Sequence, residues 1–358
     1  MANRSPLYDF QSARGARFGE YHGWEIVEDY GAPLNEYEAV RHDTGAFDLS
    51  YLGKLRVSGR DRTRFLHNLV SNDIKNLKTG TGCYATLLTH QGRMESDLYV
   101  YAMESEFLLE CSPAGRDRLF QSLNKYIVSD VVAVEDATRN LATLSIQGRR
   151  SREVTERTME IPLENVALLG HRTIAGSSGP WTAVHRDRTG CDGYDLWLPI
   201  QDAPEVWRRW IEGNGVLPAG HLALDWLRTE AGIPWYGVDM DERNLPMEMG
   251  LTSTAISLTT GCYRGQEIVA RVVYRGNLDR QLGAVAVDHA EPPARGAEVR
   301  AAGTKIGEVT SAIVSPRLQR PLALAVLKTD FLTAGTSVEV TYGTTAHPGK
   351  VVTLPLPQ

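Results

Sequence analysis

The chain has 358 residues, 42% apolar and 23% charged, an ordinary globular balance over more length than one core needs, so two or three domains are expected. Its net charge of −6 sets the bulk field against phosphate and argues against bulk nucleic-acid binding. No apolar run approaches the about 20 residues that cross a bilayer, and the opening MANRSPLYDF has no signal-peptide core, which argues against membrane insertion and secretion.

Residues 1–50 read as loops with short helices, such as Pro33 to Arg41. Leu52-Gly53-Lys54-Leu55-Arg56-Val57 alternates apolar and polar residues and then meets Ser58-Gly59, the pattern of a strand entering a turn. Asp61 precedes Arg64–Val70, whose apolar spacing predicts a short helix capped by that Asp. Strands around Cys83–Thr89 and Ser96–Met103 are joined by His90-Gln91-Gly92-Arg93, which predicts a hairpin turning at the Gly. Glu106–Cys111 reads as a third strand, and Ala114–Tyr126 as an amphipathic helix burying Leu119, Leu123 and Tyr126. Strands and helices mix again over 141–210, and a helix over 220–232 stops at Gly232 before Pro234. Short strands such as Leu282–Val287, Lys305–Ala312, Leu322–Leu327 and Ser337–Thr341, separated by Gly- and Pro-rich turns, predict a small closed barrel or sandwich after a boundary near 280–290.

The most unusual segment is Gly261-Cys262-Tyr263-Arg264-Gly265-Gln266-Glu267. Its glycines allow close approach of backbone, and Gln266 and Glu267 offer an amide and a carboxylate. Arg264 is placed to favour a thiolate at Cys262; alternatively the segment is a glycine-rich turn into a helix or strand over Glu267–Tyr274, with Cys262 a small buried residue. The other cysteines, Cys83, Cys111 and Cys191, are widely spaced, so neither a zinc site nor a disulfide framework is expected, and reduced thiols in a cytoplasmic protein are. The nine histidines form no metal-ligand pattern, and no phosphate-binding glycine loop occurs.

TGCYRGQEIVARVVYRG resembles the signature of the YgfZ family, folate-binding proteins tied to iron–sulfur enzyme maturation and tRNA modification, with Thr260 where that signature has Lys. LRTEAGIPWYGVDMDERNLPMEMGL (227–251) resembles a block shared by YgfZ proteins and the glycine-cleavage T-proteins, which are aminomethyltransferases. The N-terminal half is closer to the T-proteins: SPLYDF…GARFGEYHGWEI (5–26), VRHDTGAFDLSYLGKLRVSGRDRTRFLHNLVSNDI (40–74) and YATLLTHQGRMESDLYVY (84–101) each match a T-protein block. The resemblance implies an α+β T-protein-like fold: a folate-binding region over 1–284 of two interleaved subdomains around a central opening, the second at roughly 52–138, and a C-terminal β-barrel over 285–358.

It also implies site residues. Asp97 falls where T-proteins carry the carboxylate that assists one-carbon transfer beside tetrahydrofolate, with Ser96 replacing a preceding Asp; a carboxylate there can orient the folate and accept a proton. Tyr84 and Tyr101 fall where aromatics lie near the folate, although either also suits strand packing. Asp195, in Thr-Gly-Cys-Asp-Gly-Tyr-Asp, takes the place of the acid that accepts two hydrogen bonds from the pterin, with Asp192 as a neighbouring turn residue. Arg228 would support the pterin pocket or the folate tail, or else pair with Asp225 or Glu230; Glu248 would contact the ligand or cap a turn.

The implied cofactor is tetrahydrofolate or its 5,10-methylene or 5-methyl derivative, and the implied partners are folate and a small-molecule one-carbon donor. Three functions follow: an aminomethyl or methyl transferase, a folate-binding factor serving an iron–sulfur protein, and a specialised demethylase. Asp97 favours transfer, whereas Gly261–Glu267 favours the maturation factor.

Overall fold

The run Leu141–Gln147 is buried at every position, because it lies inside a sheet, antiparallel to Gly193–Pro199 on one side and to Gly45–Asp48 on the other. The computed structural model describes residues 2–259, 261–276 and 278–357. It divides into two compact units, one of residues 1–66, 74–83 and 98–224, the other of 67–73, 84–97 and 225–358.

The first unit contains a six-stranded sheet ordered His171–Ala175, Pro180–His185, Gly193–Pro199, Leu141–Gln147, Gly45–Asp48, Leu217–Pro218. Ile146, Leu196 and Leu198 from this sheet form a core with Val154, Trp207 and Trp210. Side chains of that size, once buried, contribute about 1.5–3 kcal/mol each. A second sheet carries Glu106–Cys111 beside Gly53–Ser58, which is beside Ala133–Asp136. The helix Pro33–His42 begins on Pro33, whose missing N–H costs nothing at a helix start. Asp61 does precede the helix Arg62–Leu69, but its carboxylate accepts from the Val131 amide at 2.8 Å, holding a loop to the helix start.

The expected hairpin is present as Gly82–Leu88 and Met94–Ala102, with Gly92 at a φ of 72° in its turn. Its residues 84–88 and 94–97 count with the second unit.

In the second unit Arg280–Val287, Arg320–Lys328, Thr304–Ser315, Glu298–Ala301, Ser337–Tyr342 and Thr345–Val352 close into a barrel in that order. Val285, Val299, Ile306, Leu327, Val340 and Val351 fill its interior. The twelve-residue strand Thr304–Ser315 bends at a bulge between Val309 and Ser311, which lets it serve two sides of so small a barrel. Among the described residues no helix is long and apolar enough to cross a membrane.

Candidate functional site

In the second unit the hairpin brings two of the expected residues together. The Tyr84 hydroxyl donates to Asp97 Oδ2 at 2.9 Å. The side chains are 7% and 9% exposed, so the contact is made in a water-poor setting where a charge-assisted hydrogen bond is strong. Ser96, in place of a second acid, turns its hydroxyl to the Asp97 carbonyl at 2.9 Å. Asn72 Nδ2 donates to the Tyr84 carbonyl at 2.8 Å, and Asn72 also lines an open cleft with Gly250, Thr252, Ser253 and Ile256.

The Gly261–Glu267 segment meets this same hairpin. Arg264 forms an ion pair with Glu95, two residues before Asp97, and the Tyr236 hydroxyl donates to the Glu95 carbonyl at 2.7 Å. Gly265 has a φ of 80°, and a Cβ there would stand 2.5 Å from the Thr89 carbonyl oxygen; only glycine allows the chain to pass so close to the hairpin. It starts the helix Gln266–Arg275, which settles the helix-or-strand alternative. Arg264 is therefore committed to Glu95, while Cys262 is exposed and not a buried packing residue. Tyr263 is buried, Gln266 Oε1 accepts from the Tyr263 amide at 3.3 Å, and Glu267 pairs with Arg271 at the surface. Thr260 lies outside the described residues.

Two further expected residues in this unit are held by protein groups. Arg228 is 1% exposed and pairs with Asp225 at 2.6 Å and Asp239 at 2.5 Å. Glu230 turns instead to the Ser315 hydroxyl. Glu248 Oε2 accepts from the Leu245 amide at 2.9 Å, closing the turn Pro246–Met249, and its Oε1 accepts from Arg280 Nε at 2.9 Å.

Asp195 and Tyr101 belong to the first unit. Asp195 is fully buried, and both its oxygens accept from Arg188, at 2.6–3.1 Å. Burial pushes its carboxyl up, opposed by Arg188. Arg188 Nη2 also donates to both oxygens of Glu110, at 2.7 and 2.8 Å. Nearby Lys54 is fully buried, donates to the Ser50 and Leu52 carbonyls, and is pushed down to about 8 by burial. Tyr101 is fully buried with its ring edge-on to Trp197, centroids 4.7 Å apart. Asp192 sits at a φ of 67° and accepts from the Gly193 amide at 2.9 Å.

Sequence reasoning missed Arg188, Glu110, Lys54 and Arg186. For Glu110 and Lys54 the signal was a charge inside an apolar strand: Glu110 follows Phe107-Leu108-Leu109, and Lys54 precedes Leu55; Arg186 and Arg188 lie in the loop between two strands and carry no such signal. A buried charge needs a partner: Glu110 finds Arg188, and Lys54 is held by the Ser50 and Leu52 carbonyls.

A model of the GCVT N-terminal domain matches residues 7–259, and one of the glycine cleavage T-protein C-terminal barrel domain matches 280–357. The Gly261–Glu267 segment falls between them. The aminomethyltransferase of Anoxybacillus flavithermus is 31% identical over 345 residues, 95% of this chain and 94% of that protein. That of Geobacillus kaustophilus is also 31% identical over 345 residues, with the same coverage. The crystal structure of the glycine cleavage system aminomethyltransferase T from Bartonella henselae superimposes with a TM-score of 0.91 over 100% of this chain and 98% of that one, at 24% identity.

Proposed function

This chain belongs to the glycine-cleavage T-protein family, and from that premise we propose that it is a tetrahydrofolate-dependent transferase moving an aminomethyl or methyl group from a small-molecule donor. The observation that carries this reading is the buried Tyr84–Asp97 contact. Tetrahydrofolate supplies a ring nitrogen that accepts the carbon. Asp97, oriented by the Tyr84 phenol, takes the proton that this nitrogen sheds. The tyrosine hydroxyl donates to Oδ2 and so fixes the orientation of the Asp97 carboxylate. The cleft beside Asn72, with its Ser, Thr and Ile lining, suits a ligand with an apolar ring and a few polar contacts. Arg228 and Glu248 support this unit through their ion pairs, and Asp195 acts through Arg188.

Incubating the chain with tetrahydrofolate and a panel of methyl and aminomethyl donors tests the reading. A 5-methyl or 5,10-methylene folate product is expected, lost in Asp97→Asn with ligand affinity retained. Equal turnover in that variant would remove Asp97 from the chemistry.

The second reading, a folate-binding factor serving an iron–sulfur protein, rests on exposed Cys262 in a segment outside both matched domains. It predicts that Cys262→Ser fails to restore iron–sulfur enzyme activity in a deletion strain. Full restoration would leave Cys262 no part in it.

A further inference from the structure

The strand that carries Asp97 overhangs its sheet. Met94–Ala102 pairs with Glu106–Cys111 from Tyr99, opposite Glu110, to Ala102, opposite Phe107. In the sheet order its other neighbour is Gly82–Leu88. Residues 94–97 therefore have one strand beside them instead of two, and a two-stranded ribbon is marginal on its own. A hairpin end held so lightly frays unless something outside the sheet fixes it. Asp97 lies within that end.

Contacts from residues 236–264 of the same unit supply the hold. The Met94 amide donates to the Asn244 carbonyl at 3.1 Å, and the Tyr236 hydroxyl donates to the Glu95 carbonyl at 2.7 Å. Arg264 then forms its ion pair with the Glu95 carboxylate. The two side chains are 10% and 17% exposed, so water and salt screen them far less than a surface pair. Close approach of the neighbouring backbone brings Arg264 there. A Cβ on Gly265 would stand 3.2 Å from Leu88 Cβ, and one on Gly92 would stand 3.1 Å from Ile268 Cβ. The segment and the helix after it thus pack onto the hairpin turn, and Glu95 is about 7 Å along the strand from Asp97.

We infer that Arg264 is a positioning residue for Asp97. It acts through Glu95: the pair anchors the overhanging end of the hairpin, and so holds the Asp97 carboxylate in the geometry that proton transfer requires. A guanidinium suits the task, because it grips a carboxylate in a fixed fork where an ammonium acts as a point charge. Misplacing a reacting group by about 1 Å costs up to about a hundredfold in rate, so a hairpin end free to shift would slow the reaction without unfolding the chain. The part that Arg264 plays in transfer rests on the transferase reading; the clamp on the hairpin does not.

Steady-state transfer kinetics and hydrogen exchange, both on the full chain, test it together. Arg264→Gln and Glu95→Gln should each lower kcat about tenfold, with KM and melting temperature near the wild type. The double variant should be no slower than either single one, because each removes the same interaction. Arg264→Lys, which keeps the charge opposite Glu95, should regain part of the rate. Amides over residues 90–97 should exchange faster in Arg264→Gln. Arg271→Gln, which breaks the surface pair with Glu267 on the following helix, should change neither rate nor exchange. Wild-type kcat in Arg264→Gln, losses that add in the double variant, a loss confined to KM, or equal effects in Arg271→Gln would overturn the assignment. A wild-type chain without transfer activity would sink the transferase reading, and exchange then decides the clamp alone. Faster exchange over 90–97 in Arg264→Gln upholds the clamp, and unchanged exchange overturns it.

Discussion

The Tyr84 hydroxyl donates to Asp97 Oδ2 at 2.9 Å, phenol to carboxylate within one hairpin. A hydrogen bond to a charged group contributes about 1.5–3 kcal/mol, so Tyr84→Phe should lower turnover by about ten- to a hundredfold. The effect should fall on kcat, with little change in KM or melting temperature. Wild-type turnover in Tyr84→Phe would show that this contact does not position the acid.

Gly265 connects the Gly261–Glu267 segment to that hairpin. Gly265→Ala sets a Cβ 2.5 Å from the Thr89 carbonyl at a φ of 80°, and should destabilise the fold by about 1–3 kcal/mol. Gly276→Ala is the control: its φ is 70°, but nothing lies within 4 Å of the added carbon, so only the smaller conformational cost of about 1 kcal/mol applies. Denaturant unfolding of the two variants separates close approach from backbone strain. Equal losses would show that the contact with Thr89 is unimportant.

Arg228 is buried between Asp225 and Asp239, and Asp239 Oδ1 also accepts from the Thr310 and Ser311 hydroxyls at 2.7 and 2.6 Å. Arg228→Met leaves a buried carboxylate unpaired and should cost about 3–5 kcal/mol. Adding Asp239→Asn should recover part of it. A surface-sized loss in chemical unfolding would contradict the burial seen here.

His171 gives the pH prediction. Burial lowers its imidazole from 6.5 to about 4, while a bond to the Ala102 backbone and the Arg172 charge act in opposite senses. Above pH 6.5 the ring is neutral in both folded and unfolded chains. As pH falls from 6.5 towards 4, the unfolded chain binds a proton that the folded chain refuses, so stability is lost across that window. The loss approaches about 3 kcal/mol. The stability difference between wild type and His171→Phe should shrink by that amount between neutral pH and pH 4, measured by urea unfolding. A difference independent of pH would contradict it.

The hairpin holding Tyr84 and Asp97 was legible because period-two alternation and Gly92 are local signals, as were the barrel strands and the helix stop at Gly232. The resemblance to T-proteins proposes Asp97 and Tyr84 by position, and the hairpin brings the two side chains into contact. The pairing of Arg228 with Asp225, three residues back on the same helix, was legible; the long-range partners were not. Arg188 meets Glu110 across 78 positions, and Arg264 meets Glu95 across 169. Pairs so distant leave no spacing to read. The strand that carries Asp195 says nothing of Arg188, which sits in an irregular loop. Cys262 and Arg264 looked like a thiol and its activating cation because they are neighbours in sequence, yet Arg264 is committed to Glu95.

The most direct measurement is equilibrium titration of the purified chain with tetrahydrofolate, followed by calorimetry. Saturable one-to-one binding, retained in Asp97→Asn, is the predicted result. No saturation in the wild-type chain would contradict tetrahydrofolate-dependent transfer outright.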